Sequence, residues 1–257
     1  MEWLRSLPVA HRGLHDPHKG IIENSPSAFE AAARAGYAIE LDVHLSADGK
    51  VIVFHDDKLD RLTKETGKTR DRTATELTQL IIEGSADTIP TLKDVLRQVA
   101  ARVPILIEIK NASRTVGPLE KQVAEDLRGY YGAVAVQSFN PYSVGWFAKN
   151  APHLRRGQIS QSYEDYKDRP MPSYQKFALT HMLLNIVSRP QFVAFNCKDL
   201  PSFGPSRVRA FGLPVLAWTV KNEAMASNIA PYADNIIFEN FQPPLPAGLS
   251  TDLESPA

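Results

Sequence analysis

Cysteine is almost missing from this chain. Cys197 is the only one, so no intramolecular disulfide framework can form, and such usage suits a reducing compartment. No run of about 18 apolar residues occurs, which argues against a membrane-spanning helix. The opening MEWLRSLPVAHRG has no apolar core of the kind a secretory leader needs. An excess of charge is missing too: Lys plus Arg and Asp plus Glu both number 29. That balance argues against a general binder of nucleic acid or anionic membranes, while leaving room for a local basic pocket. There is no glycine-rich nucleotide loop and no repeat beyond an alternation of strands and helices. We expect a soluble, cytoplasmic protein with no nucleic-acid partner and no stable membrane insertion.

What is present is ample core material. Hydrophobic residues make up 43% of 257 positions, enough for one (β/α)8 barrel or two small domains. The most informative stretch is Ala38–Asp57. Apolar and polar residues alternate from Ile39 to Leu45, a period of two that reads as a strand. Glu40, Asp42 and His44 then share one face. Ser46–Lys50 forms a turn around Asp48-Gly49, and Val51–His55 reads as a second strand. The connection is too short for a parallel crossover, so the two strands form a hairpin that brings His55 roughly opposite Glu40. Without a ligand, the same stretch reads as a half-buried hairpin with a solvated polar face.

The remaining strands read at 8–12, 105–110, 133–139, 156–161, 192–196, 214–220 and 235–239. Helices are expected between them. One starts at Ser25-Pro26 and stops at Gly36; Thr73–Glu76 forms a capping box leading into Leu77, Leu80 and Ile81; 173–187 reads as one apolar helix. With Val51–Phe54 counted as the return arm of the hairpin, eight strands alternate with helices. That favours an α/β fold closed as a TIM (β/α)8 barrel, with a doubly wound open sheet as the fallback. Residues 57–90 break the rhythm and read as a small inserted lobe at the barrel mouth, within a single domain. The Pro- and Ser-rich tail 243–257 is expected to be loose.

In such a barrel the working residues sit where strands end. The ionisable residues there are His11-Arg12, Glu40/Asp42, Glu108/Lys110 and Glu239, with His55 returning through the hairpin. Glu40, Asp42 and Glu108 offer oxygen ligands for one hard divalent cation, Mg²⁺ or Ca²⁺. His11 and His55 carry imidazoles with a reference pKa of about 6.5, suited to proton transfer. Arg12 and Lys110 supply fixed positive charge for an anionic oxygen. These are the parts of a phosphodiester cleavage site.

The motifs carry a resemblance. His11-Arg12-Gly13, Glu23-Asn24-Ser25, Glu40-Leu41-Asp42, Asp48-Gly49, His55-Asp56 and Glu108-Ile109-Lys110 stand in the order and spacing of the glycerophosphodiester phosphodiesterases. Ser138-Phe139 and Trp218-Thr219-Val220 are weaker matches further on. The resemblance implies a barrel of the PLC-like phosphodiesterase type with an insertion after His55-Asp56. It implies a divalent metal on Glu40, Asp42 and Glu108, and His11 and His55 as the acid–base pair. Arg12 and Lys110 would lie at the phosphate and Trp218 against the glycerol. The implied reaction turns a small glycerophosphodiester into glycerol 3-phosphate and an alcohol, by direct attack of water or through a cyclic phosphate. Two places depart from the pattern: Lys221 stands where Asn is frequent, and the last strand ends Phe238-Glu239-Asn240 where a Thr-Asp pair is common.

Two other functions remain as alternatives. One is a lysophospholipase D-like activity, which would favour an exposed apolar rim that the sequence does not display. The other is a catalytically silent barrel that binds phosphodiesters. Of the other histidines, His44 reads as a rim residue, His15 and His18 as loop residues, and His153 and His181 as structural. Cys197 reads as buried and inert.

Overall fold

A computed structural model describes residues 2–111, 115–164 and 172–246. Its nine strands form one sheet in the order β1-β9-β8-β7-β6-β5-β4-β2-β3, and β1 also pairs with β2, which closes a barrel of parallel strands. The strands are β1 (Val9–Ala10), β2 (Ala38–Leu45), β3 (Val51–Val53), β4 (Ile105–Ile109), β5 (Val134–Ser138), β6 (Arg155–Ser160), β7 (Phe192–Asn196), β8 (Val215–Val220) and β9 (Asn235–Phe238). Only β3 runs antiparallel; it lies beside the end of β2, with Val43 opposite Val53 and Leu45 opposite Val51.

The two-residue period decides which side chains go where. On β2 and β4, Ile39, Leu41, Val43, Ile105, Ile107 and Ile109 point outward. They pack against the apolar stripes of α2 (Pro26–Arg34), α4 (Leu92–Val99), α5 (Pro118–Asp126) and α6 (Pro141–Asn150). The alternate residues point into the barrel. Its lower half is filled by Val9, Ala38, Leu106, Ala135, Leu216 and Ile237. Phe192 also enters this layer, and a Cβ on Gly157 would lie only 2.1 Å from its ring, so the neighbouring strand keeps a glycine there. Above this layer the inward positions become polar, and Glu40, Asp42 and Glu108 are buried. The polar face of the hairpin is therefore the barrel's interior, where water has been replaced by other charged groups.

A short helix, α1 (Trp3–Ser6), seals the opposite end. Leu4 and Leu7 fill the floor, and Asn235 Nδ2 lies 2.7 Å from the Leu7 carbonyl and 3.3 Å from that of Leu4. The start of α2 follows from local chemistry: the Ser25 side chain accepts the Ala28 N–H, and Pro26 takes the first helical position.

Between β3 and α4 the chain packs Phe54, Leu59, Ala74, Leu77, Ile82 and Ile89 into a small core that Ile22 and, from β3, Ile52 complete. Its helix, α3 (Ala74–Leu77), carries the expected capping box from Thr73 and Glu76 but stops at Leu77. Leu80 packs partly against that core, Ile82 is buried in it and Ile81 is 61% exposed, so the expected helical face does not extend that far. The expected helix over 173–187 is also two pieces, α7 (Ser173–Thr180) and α8 (Asn185–Ser188). The break turns at Met182, whose positive φ of 56° accompanies a side chain buried beneath β7 and β8. The last connections are α9 (Phe203–Ala210) and α10 (Glu223–Ile229). Most of the tail expected to be loose, from residue 247 on, lies outside the described residues.

Candidate active site

The turn leaving β1 places the first functional group. His11 N–H donates to the Phe238 carbonyl at 2.9 Å, continuing the pairing with β9. The chain then turns sharply through Arg12 and Gly13, with φ of 57° and 80°. A Cβ on Gly13 would lie 2.8 Å from backbone and side-chain carbons of Ala28, so only glycine lets this turn press onto α2. The result aims the Arg12 backbone N–H at Glu40 Oε2, 3.0 Å away.

Three carboxylates gather below that turn. Donor oxygens of Glu40, Asp42 and Glu108 lie within 4.8 Å of one another. Asp42 is fully buried and multiply held. Asn24 Nδ2 donates to its Oδ2 at 2.8 Å, Arg12 Nε lies 3.3 Å from the same oxygen, and Lys110 Nζ is 2.9 Å from Oδ1. Lys110 also reaches Glu108 Oε1 at 2.6 Å. Burial alone would push the Asp42 carboxyl up, but Lys110 and Arg12 hold it well below the usual range. Glu40 behaves oppositely: burial, then the charges of Asp42 and Glu108, drive its carboxyl well above that range. Its Oε1 is buried without a hydrogen-bond partner. A hard cation fits this donor set, because it supplies the charge that a trio of buried carboxylates lacks and takes oxygen ligands.

Each of the two histidines is held at Nδ1 by a carboxylate. His11 Nδ1 is 2.8 Å from Glu239 Oε2, and Lys221 Nζ is 2.7 Å from the other oxygen of that carboxylate. His11 and Lys221 together hold Glu239 down to about 2, against the effect of burial. His55 Nδ1 is 2.6 Å from Asp56 Oδ1. Arg61 Nε grips Asp56 Oδ2 at 2.6 Å while its Nη2 grips Glu23 Oε1 at 2.6 Å, and Glu23 Oε1 also pairs with Arg12 Nη1 at 2.7 Å. One guanidinium from the lobe thus braces both His55 and Arg12. Burial pushes the His55 imidazole below its usual value; Asp42 opposes this, and Lys110 and Arg12 add to it.

His11, Arg12, Glu40, His55, Glu108 and Lys110 line one cavity, and Asp42 lies beneath them. Phe139 and Trp218 form the far wall, edge to face with centroids 5.5 Å apart. Gln137 Oε1 and Trp218 Nε1 are buried there without hydrogen-bond partners. All eight residues singled out in the sequence therefore meet at one place. His44 does not join them: it is buried, with Nε2 3.0 Å from the His55 carbonyl, and acts as a brace rather than a rim. His15 is less peripheral than its loop suggested, with Nε2 3.9 Å from Glu239 Oε2. Sequence reasoning missed Arg61, Asn24 and Gln137 as site residues. Asp56 and Glu239 were visible, as a neighbour of His55 and a charged strand end, but their partners were not.

A sequence model of the Glycerophosphoryl diester phosphodiesterase family matches residues 11–239. A glycerophosphodiester phosphodiesterase of Caldanaerobacter subterraneus subsp. tengcongensis is 29% identical over 248 residues, covering 92% of this chain and 95% of its own length. One of Bacillus altitudinis is 36% identical over 156 residues, 56% of this chain and 62% of its own. Among solved structures, the glycerophosphodiester phosphodiesterase of Thermotoga maritima superposes with a TM-score of 0.70 at 26% identity, covering 91% of this chain and 94% of that one. A phosphodiesterase of Oleispira antarctica, solved with the product sn-glycerol-3-phosphate, superposes with a TM-score of 0.75 at 22% identity over 92% of this chain and 94% of that one, a likeness of fold.

Proposed function

The chain belongs to the Glycerophosphoryl diester phosphodiesterase family, and from that premise we propose that it hydrolyses small glycerophosphodiesters to glycerol 3-phosphate and an alcohol. One observation carries the reading. Two imidazoles, each held at Nδ1 by a carboxylate, share a cavity with clustered carboxylates and with Arg12 and Lys110. A binding module has no need of two oriented imidazoles; an acid–base reaction does.

In this reading His11 and His55 are the catalytic pair. The neutral ring takes the proton of the attacking hydroxyl, from water or from the glycerol itself. The protonated ring gives its proton to the departing alkoxide. Arg12 and Lys110 hold the phosphoryl oxygens through fixed charge. Glu40, Asp42 and Glu108 would hold Mg²⁺ or Ca²⁺, which when bound supplies positive charge for the phosphoryl oxygens. Gln137 and Trp218 present unpartnered polar atoms suited to glycerol hydroxyls. The lone, buried Cys197 supports a reducing, cytoplasmic setting. The lobe over 57–90 is read as an insertion in a single barrel domain.

A second reading has one observation in its favour. Tyr174, Phe177 and Phe203 are 69%, 53% and 67% exposed. Tyr174 and Phe203 lie at the starts of α7 and α9, the helices that follow β6 and β7 from the mouth side, with Phe177 further along α7, and they would suit the acyl chain of a lysophospholipid. Among the described residues no helix is long and apolar enough to cross a membrane. The test is headgroup release from a panel of glycerophosphodiesters and lysophospholipids, with glycerol 3-phosphate the companion product of the former and a lysophosphatidic acid that of the latter, in Mg²⁺, Ca²⁺, Mn²⁺ or EDTA. Metal-dependent turnover of the small diesters supports the first reading, and turnover of lysophospholipids alone favours the second. Tight binding without turnover in saturating metal would leave only a binding barrel.

A further inference from the structure

We propose that Glu239, backed by Lys221, is the positioning residue of His11. It fixes the ring's tautomer and angle so that Nε2 is the nitrogen left for the reacting oxygens. The inference rests on the acid–base reading of His11 given above.

The geometry builds it in steps. His11 N–H is bonded to the Phe238 carbonyl, so His11 and Glu239 leave neighbouring strands side by side. Glu239 N–H donates to the Val220 carbonyl at 3.0 Å, which fixes the acid's backbone against the end of β8. Lys221 is the next residue, and its ammonium closes on Oε1 at 2.7 Å, leaving Oε2 to face His11 Nδ1 at 2.8 Å. A carboxylate can only accept, so the hydrogen on Nδ1 is the one donated and Nε2 is left without it in the neutral ring. Held only at His11, the acid could swing about its side-chain torsions; Lys221 removes that freedom by holding the second oxygen. His15 does not compete, because its Nε2 stands 3.9 Å from Oε2, beyond hydrogen-bond range.

The tautomer can be read directly. Nitrogen-15 NMR of the histidine side chains, with His11 assigned by its loss in His11→Asn, should show the Nδ1–H form in the wild type. In Glu239→Ala the ring should move toward the Nε2–H form. Kinetically, Glu239→Ala should lower kcat by about 10²-fold or more with KM changed little. Glu239→Gln should recover part of this, since its amide oxygen can still accept. Lys221→Met should lower kcat by about tenfold, and Lys221→Arg should restore it. A folded Glu239→Ala protein that keeps the Nδ1–H form, or keeps kcat within about threefold of wild type, overturns the proposal. The tautomer needs no substrate, so it decides the positioning role even if the wild-type protein hydrolyses no glycerophosphodiester.

Discussion

The two histidines are held by two unlike regions. His11 is gripped by the barrel itself, through an acid 228 positions away that reaches it only when the last strand has paired with the first. His55 is gripped by its own neighbour Asp56, and that acid is latched by Arg61 of the lobe, 47% exposed. One anchor inherits the stability of the whole barrel, and the other inherits that of a small satellite core. Segments with fewer buried contacts open locally at lower free energy. The lobe side is therefore where the site can loosen without unfolding, and Arg61, through Glu23, carries that loosening to Arg12 as well.

Removing either ring should have the largest effect and should make the two sides equal. His11→Ala and His55→Ala are each expected to lose about 10²- to 10⁴-fold in kcat while staying folded. The double variant should lose little more than either single one, because the groups act as a unit. Near-normal turnover of either single variant removes that ring from the pair. Stripping divalent cations with EDTA should likewise abolish turnover, and added Mg²⁺ or Ca²⁺ should restore it. Calorimetric titration should place the binding on the carboxylate trio by its loss in Glu108→Gln.

Smaller changes should separate the two sides. Arg61→Met is expected to lower kcat by about tenfold and raise KM. It should speed amide exchange around residues 55–63 while leaving β1 and β9 protected; uniform exchange across both regions would erase the contrast. On the barrel side, Glu239 has a folded pKa of about 2, below its ordinary 4.5. Its stabilisation should be complete above the unfolded value and fade as pH falls through the folded one. Comparing urea midpoints of wild type and Glu239→Gln should show a gap of about 1–2 kcal/mol at pH 6 that shrinks toward pH 2 to 3. A gap that stays constant over this range would sink the linkage. Least of all, Thr73→Ala removes only the cap of α3 and should cost the lobe about 1 kcal/mol, with β1 and β9 unchanged.

This contrast also marks what could be read from the sequence. The alternation along β2 was legible because a strand's period of two depends only on neighbours, and it placed Glu40 and Asp42 on the same side. The hairpin was legible from the short turn at Asp48-Gly49. Its register was not: Phe54 N–H pairs with the Asp42 carbonyl, which sets His55 level with Leu41 rather than Glu40, and His55 reaches the cavity from beyond the ladder. His44 looked like a rim residue because periodicity gives a face and not a depth. Arg61 sat within the stretch read as an inserted lobe, and nothing local reveals that one guanidinium spans two acids. The partner of His11 was hidden by distance along the chain, since closure of a barrel is a property of all its strands together.

That closure has a consequence for how the protein comes into being. The last strand brings both Asn235, which ties down the N-terminal helix, and Glu239, which holds His11. A nascent chain that has left the ribosome only as far as Pro231 already carries both imidazoles, the carboxylate trio, Arg12 and Lys110. It lacks the strand that seals the first to the last, so His11, made early, gains its Glu239 partner only once the last strand is in place. A chain cut short before residue 235 would lack both the closing strand and the carboxylate that holds His11.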